Sequence, residues 1–253
     1  NEIVIGTGAQ THLNMFGIPF AHWDADAYNL WLGNDGPDVD PTGLFNLGIG
    51  RDTLNNATSA NACIAIGSGA LELHQSGNNT IAIGVTAGQY SNNLWDTVLI
   101  GGSAARRATT GVGAVVVGYR GLQHAANVGN NTAIGDSALW HTQGIGNVAI
   151  GYVVAEGMSK GDINIIIGKG AGRYRDDGDE NVYIGDLAGA IISNSLPGQP
   201  GANIGIGDAA PSDNIGSAPA GHRNVGVGIK SLGDALGNKN AALGHRSGLS
   251  LKG

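Results

Sequence analysis

The sequence predicts an all-β fold: a repetitive β-solenoid or β-roll, or an interwoven triple β-helix, with a 17-residue repeat. Three observations predict it. First, an aliphatic-x-aliphatic-Gly pattern ends at Gly33, Gly50, Gly67, Gly84, Gly101, Gly118 and Gly135, at unbroken intervals of 17. It continues at Gly151, Gly168, Gly185, Gly207, Gly228 and Gly244 with steps of 16, 17, 17, 22, 21 and 16, and an outlying copy ends at Gly6. Fixed spacing of this kind marks a stacked array. Second, the two aliphatic positions lie two residues apart, as on one face of a strand. Third, all seven prolines lie outside residues 42–196. Proline cannot donate to a strand ladder, so its absence there supports continuous stacking.

The elements of one repeat follow in order. Four residues before the glycine, Asn recurs in nine units: Asn29, Asn46, Asn131, Asn147, Asn164, Asn181, Asn203, Asn224 and Asn240. Asn tolerates left-handed backbone and bonds its own main chain, which suits the corner leading into a strand. The strand comes next, with aliphatic columns such as Ile64/Ile66, Ile81/Ile83 and Ile165/Ile167. Branched side chains favour a pleated surface over a helix. The residue between the columns points the other way and is Gly or Ala in eight of fourteen units, Ala65, Ala82, Ala133 and Ala149 among them. Such a residue allows another backbone to approach. The glycine permits a sharp exit. Three residues later a small residue recurs, as at Ala70, Ala87, Ala104, Ala138, Ala171 and Ala188.

Two strands of four or five residues and two corners exhaust 17 residues, so the coil encloses one thin layer of side chains. The Ile and Val rows are expected to form that slim interior. Each buried aliphatic contributes about 1.5–3 kcal/mol, while ordering costs about 1.5 kcal/mol per residue. A lone chain is therefore expected to be marginal, with several chains sharing a core.

Three segments are expected. Residues 1–28 hold a first coil (1–9) and an irregular stretch with Phe16, Phe20, Trp23 and Tyr28 beside His12, His22, Asp24 and Asp26. Residues 29–185 form the regular array. Residues 186–253 keep the pattern with longer loops at 193–201 and 211–221. The chain opens on Asn1 rather than Met, as a processed product or an excised fragment would.

Composition excludes several classes. A net charge of −7 opposes nucleic-acid binding, which depends on neutralising phosphates, and opposes anionic membrane surfaces. No apolar run approaches the roughly 18 residues of a membrane span. One cysteine, Cys63, rules out an internal disulfide, and its place at a strand start reads as a small buried hydrophobe. No phosphate loop, dinucleotide fingerprint, nucleophile elbow or zinc motif is present. The acidic residues Asp24, Asp26, Asp35, Asp38 and Asp40 lack the glycine and terminal glutamate of an EF-hand loop and read as solvated carboxylates. A second charged run, Arg173, Arg175, Asp176, Asp177, Asp179 and Glu180, reads as an exposed loop. No residue is assigned a catalytic or metal-binding role, and no cofactor is expected.

One column suggests recognition. Six residues after the glycine, successive units place Tyr90, Arg107, His124 and His141; Gly157 interrupts, and Tyr174 follows. Equal positions superpose in a stacked coil, so these would form a ladder along one edge. Trp140 adjoins His141, and Trp95 lies in the loop after Tyr90. Aromatic faces with Arg and His donors suit a sugar-binding groove, where apolar ring faces stack and polar groups fix hydroxyls. A solvated edge or a packing column between chains would use the same positions.

The segment Asn131-Thr132-Ala133-Ile134-Gly135-Asp136-Ser137-Ala138-Leu139 resembles the Asn-x-Ala-Ile-Gly-x-x-Ala-Leu repeats of phage tail fibres and tailspikes. It is also similar to the head repeats of trimeric autotransporter adhesins. Residues 147–151 and 62–71 fit the same pattern, and the likeness covers about nine-tenths of the chain. The resemblance implies an elongated homotrimeric β-rod that binds a cell surface. The adhesin repeat is usually shorter and has no counterpart to residues 10–28, which favours the phage family. That family implies a virion location and attachment to bacterial surface polysaccharide. The alternatives are a capsular polysaccharide depolymerase on the same scaffold, a hydrolase or lyase using paired carboxylates, and an adhesin head on a bacterial surface.

Overall fold

The computed structural model describes residues 10–15, 18–24, 26–33, 42–173, 178–190, 201–208, 223–232 and 238–248, with side chains from residue 21 onward. The first coil, residues 1–9, lies outside the described residues. Every regular element among them is a strand and none is a helix, so the all-β solenoid with 17-residue spacing is what the sequence forms. The chain divides into two compact units, residues 1–120 with 126–129, and residues 121–125 with 130–253.

The first unit opens with an antiparallel hairpin, β1 (Gln10–Met15) and β2 (Ile18–Asp24). β2 pairs antiparallel with β3 (Asn29–Leu32). Asp24 Oδ1 fixes the turn between them by accepting from the Asp26 and Ala27 amides, both at 3.1 Å. From β3 onward the sheet is parallel. It runs through β4 (Leu47–Ile49), β5 (Ile64–Ile66), β6 (Ile81–Ile83), β8 (Val98–Ile100) and β10 (Val115–Val117). Register follows the period: Leu47 faces Ile64, Ile64 faces Ile81, and Ile81 faces Val98. On the other wall of the coil β7 (Asn93–Trp95) pairs with β9 (Thr110–Val112).

The second unit is one parallel sheet. Its strands are β11 (Thr132–Ile134), β12 (Val148–Ile150), β13 (Ile165–Ile167), β14 (Val182–Ile184), β15 (Ile204–Ile206), β16 (Val225–Val227) and β17 (Ala241–Leu243). The strands of the array are shorter than expected, mostly three residues. A left-handed residue starts each coil's strand (Phe45, Asn79, Asn130, Ile163) and a glycine ends it (Gly67, φ 119°; Gly168, φ 137°). A Cβ on Gly67 would lie 2.7 Å from the Gly84 carbonyl, so glycine is needed there for close stacking as well as for φ.

The faces of the strand are the reverse of the expectation. The residue between the aliphatic columns is the buried one: Trp31, Ala65, Ala82, Leu99, Val116, Ala133, Ala149 and Tyr183. The Ile and Val columns point away from the coil, half-buried or exposed, with Ile83, Ile100, Ile134 and Ile165 between 37% and 42% accessible. The physical reason is width. A 17-residue coil brings its two walls so close that only one layer of side chains fits inside.

In several coils that layer is filled by complementary pairs, while Val116 with Leu122 is large twice and Ala149 with Ala155 small twice. In three coils a small central residue is matched by leucine six further on: Gly48 with Leu54, Ala65 with Leu71, Ala133 with Leu139. In three others a large one is matched by a small partner: Leu99 with Ala105, Ile166 with Gly172, Tyr183 with Gly189. A Cβ on Gly189 would sit 2.5 Å from the Tyr183 ring, and one on Gly172 3.0 Å from Ile166. Ala82 with Gly88 is small twice, and the space is taken by Leu71 and Leu99 of adjacent coils, each 2.9 Å from a Cβ built on Gly88.

The recurrent Asn is likewise placed by stacking. Its backbone is not left-handed; the preceding residue's is, as at Asn130, Ile163 and Glu180. Its side chain bonds the next coil instead of its own. Asn147 Oδ1 accepts from the Asn164 amide at 2.9 Å, and Asn147 Nδ2 donates to the Gly161 carbonyl at 2.7 Å. Asn164 repeats this with the Asn181 amide and the Gly178 carbonyl, both at 2.9 Å.

Candidate functional site

After each glycine the chain makes a tight turn with two left-handed residues, such as Ser103 and Ala105, or Ser137 and Leu139. This turn sorts side chains by position. The residue seven after the glycine points inward: His74, Ser91, Ala108, Ala125, Thr142 and Met158 are all buried. The two before it point outward and form adjacent ladders. In the first unit one ladder holds Glu72, Gln89 and Arg106, all half-buried, and the other Leu73, Tyr90 and Arg107; in the second unit one holds Gln123, Trp140, Glu156 and Arg173, all half-buried, and the other His124, His141 and Gly157.

In the first unit the inner ladder is a chain of polar contacts. Gln89 Nε2 donates to Glu72 Oε2 at 2.6 Å, and Arg106 Nε donates to Gln89 Oε1 at 2.8 Å. The Arg106 guanidinium lies 5.3 Å from the centre of the Tyr90 ring, and its Nη2 is 3.4 Å from the Tyr90 hydroxyl. Arg106 is therefore the cation that meets Tyr90. Arg107 occupies the expected column and is exposed. Trp95 stands on β7, in register with Val112, and its Nε1 bonds Asn93 Oδ1. It belongs to the second sheet of the coil rather than to the ladder of Tyr90.

In the second unit the expected residues do meet. His124 and Trp140 pack edge to face at 5.1 Å, His124 and His141 stack at 4.9 Å, and Trp140 and His141 are tilted at 4.4 Å. Gln123, which sequence reasoning did not single out, accepts from Trp140 Nε1 at 2.8 Å. With its one donor satisfied, the half-buried indole packs against both histidine rings. Next along the inner ladder, Arg173 Nε meets Glu156 Oε2 at 2.9 Å. Arg173 is thus tied into the turn rather than loose in a charged loop. Tyr174 and residues 175–177 lie outside the described residues. The signal for the inner ladder was available: Glu72, Gln89, Arg106 and Gln123 recur at 17-residue spacing, and so do Glu156 and Arg173.

Two titratable groups sit inside the coil. His74 Nδ1 is 3.2 Å from Ser91 Oγ and its Nε2 has no partner; burial lowers its pKa to about 4. Burial pushes the Cys63 thiol up to about 11, which keeps it protonated and unreactive. Among the described residues no group of three or more His, Cys, Asp or Glu is placed to hold a metal ion.

Chemically, the second-unit cluster offers three rings, one satisfied amide and a neighbouring ion pair along a solvated edge. Such a surface stacks on flat apolar faces and bonds hydroxyls. Comparison with family models, curated proteins and solved structures finds no match to the chain.

Proposed function

We propose that the chain is the structural and receptor-binding segment of a homotrimeric phage tail fibre or tailspike, carried on the virion and attaching to bacterial surface polysaccharide. The observation that carries this reading is the outward direction of the Ile and Val columns. Each unit bears two in-register aliphatic rows on the face of its sheet, including Ile83, Ile100 and Val115 in the first and Ile134, Ile165, Ile206 and Val225 in the second, each more than a third exposed. Monomeric proteins rarely leave contiguous apolar surface of this kind uncovered. Copies of the same chain, packed row against row around an axis, would cover it. The number three rests on the resemblance of the Asn-x-Ala-Ile-Gly repeat.

The glycan part rests on the His124–Trp140–His141 cluster. Light scattering at micromolar concentration should give three times the 25.5 kDa of one chain. Ile165→Glu, which places a charge in the aliphatic row, should give a lower mass. Trp140→Ala should keep the trimer and lose binding to susceptible bacterial cells. A monomeric wild type would overturn the assembly, and full cell binding by Trp140→Ala would overturn the site.

A further inference from the structure

The coils of β16 and β17 differ from the rest of the second unit in what stands at their corners. Each coil has a left-handed residue on either side of its strand, five before the glycine and two after it. From residue 130 to residue 202 the described ones are Asn130, Gly146, Ile163, Glu180 and Ala202 before the strand, and Ser137, Val153, Gly170 and Leu187 after it. None of these is a cation. Around β16 and β17 all four are: Arg223 and Lys239 before the strand, Lys230 and Arg246 after it. The register stacks them in pairs. Val225 faces Ala241, which sets Arg223 beside Lys239, one coil step of about 4.8 Å away. The Arg246 amide donates to the Ile229 carbonyl at 2.8 Å, which sets Arg246 beside Lys230. All four residues are exposed, and no side chain among them makes a hydrogen bond or ion pair with another described residue. From residue 209 onward the chain has five Lys or Arg against two acids, Asp213 and Asp234, so positive charge stays in excess wherever those two acids lie.

We propose that these corners form an anion site at each seam between copies of the chain, and that its ligand is an acidic polysaccharide. The inference deepens the glycan-attachment reading and rests on the trimer proposed with it. The aliphatic rows run between the two corners of each strand. Turning that face to a three-fold axis brings one edge of each copy against the opposite edge of its neighbour. Arg223 and Lys239 of one copy then border Lys230 and Arg246 of the next. Four like charges gather at each seam and repel one another. A carboxylate among them relieves the repulsion: a guanidinium binds it through two parallel N–H bonds, and an ammonium adds a point charge. Three seams around one axis take three such groups at once, which a polymer supplies on one chain and a free anion does not. Nucleic acid fits less well, because the net charge of −7 repels a long run of phosphates beyond these two coils.

The test uses the whole chain with polygalacturonate and alginate oligosaccharides beside a neutral glucan series, inorganic phosphate and a DNA duplex, read by calorimetry at low and high salt. Wild type should bind at least one acidic series more tightly than the neutral one and lose most of that affinity at high salt. Arg223→Gln with Lys239→Gln should weaken acidic binding by about tenfold, and so should Lys230→Gln with Arg246→Gln, each with the trimer mass unchanged. Ile165→Glu, which breaks the assembly, should weaken it as well. Full acidic binding by Ile165→Glu at the lower mass would overturn the seam, since one chain would then suffice. A trimeric wild type that binds acidic and neutral series alike, or neither, would overturn the seam site and leave the assembly standing; a monomeric wild type would remove both. Loss of acidic binding in Trp140→Ala with full binding in both double variants would assign the glycan to the aromatic cluster alone. Phosphate or DNA binding tighter than either acidic sugar series would exclude the polysaccharide. Double variants that keep full binding but gain mass would show that the cations only keep coil ends apart.

Discussion

The two units solve the same stacking problem with different stitches. In the second, the position four before the glycine is Asn without interruption from Asn131 to Asn240. In the first it is Asn29, Asn46, Cys63, Thr80, Thr97 and Ala114. The Asn rung ties each coil to the next twice, through Oδ1 to an amide and through Nδ2 to a carbonyl. Cys63 receives the Asn46 bond at 3.0 Å but returns only the weaker contacts of a thiol, from Sγ to the Gly77 carbonyl at 3.8 Å and with the Thr80 backbone. Thr80 Oγ1 reaches the Leu94 carbonyl at 3.0 Å, the acceptor an Asn amide would use, and has nothing for the other bond. Where the rungs lapse, the opposite wall of the coil pairs instead: β7 with β9, flanked by bridges Asn61–Asn78, Ser76–Asn93 and Thr110–Asn127.

The difference also bears on loop length. Every step of 17 in the first unit's array is kept. The steps of 22 and 21 both occur in the second unit, and the rungs still close across them: the Asn203 amide donates to Asn181 Oδ1 at 3.0 Å, and the Asn224 amide to Asn203 Oδ1 at 2.9 Å. A side-chain ladder at one corner holds register while the remainder of the coil varies. Pairing along the opposite wall requires that wall to keep its length.

The largest expected effect is therefore on the second unit. Asn164→Ala strips partners from the buried Asn181 amide and from the Gly178 carbonyl. Each orphaned buried group costs about 1–3 kcal/mol, so a loss of about 4 kcal/mol is expected in chemical denaturation. Thr80→Ala in the first unit removes a single bond, and a loss of about 1 kcal/mol is expected. Equal losses in the two variants would show that the rungs are not what distinguishes the units.

Next in size is an acid sensitivity confined to the first unit. His74 is neutral in the fold, with its pKa lowered to about 4 by burial, whereas an unfolded histidine titrates near 6.5. Between these values the unfolded chain binds a proton that the folded chain refuses. The stability associated with neutral His74 is thus complete above about pH 6.5 and lost progressively as pH falls toward 4, by about 3 kcal/mol in all. His74→Met, of similar bulk and without a proton to bind, should flatten that part of the profile relative to wild type. Parallel profiles for the two proteins would exclude the histidine as the cause. Hydrogen exchange should place the acid loosening in the coils around His74 and Ser91, leaving β12 to β14 protected.

The period, the strand and the glycine were legible because each obeys a local rule that repeats. The direction of the Ile and Val rows was not. Alternation says that Ile64 and Ile66 share a face, but not which face is inside. That is decided by coil width, and its trace in the sequence is the pairing of Ala65 with Leu71 or Tyr183 with Gly189, six residues apart. At the site, counting positions was enough to bring His124, Trp140 and His141 together, because equal positions superpose. It chose Arg107 over Arg106, since counting cannot tell which of two adjacent outward side chains folds back onto Tyr90. It set Trp95 beside Tyr90 although the turn sends them to different walls. Glu156 was passed over because its meaning depends on Arg173, 17 residues away.

The smallest expected effect is a gain, and it sharpens the contrast most directly. Thr80→Asn would install the missing rung in the first unit. The new Nδ2 has the Leu94 carbonyl in place, which Thr80 Oγ1 already engages at 3.0 Å. The new Oδ1 falls where Asn46 Oδ1 meets the Cys63 amide two coils earlier, so it should take up the Thr97 amide. One added buried hydrogen bond is worth about 1 kcal/mol, offset in part by the lost methyl group. The reciprocal change, Asn164→Thr, keeps the donor and drops the acceptor; it should fall between wild type and Asn164→Ala. If Thr80→Asn stabilises and also slows amide exchange at Thr97, the rung is portable between units. If it destabilises, the opposite-wall pairing of β7 and β9 has set a coil geometry that no longer accommodates the asparagine, and the two stitches exclude each other.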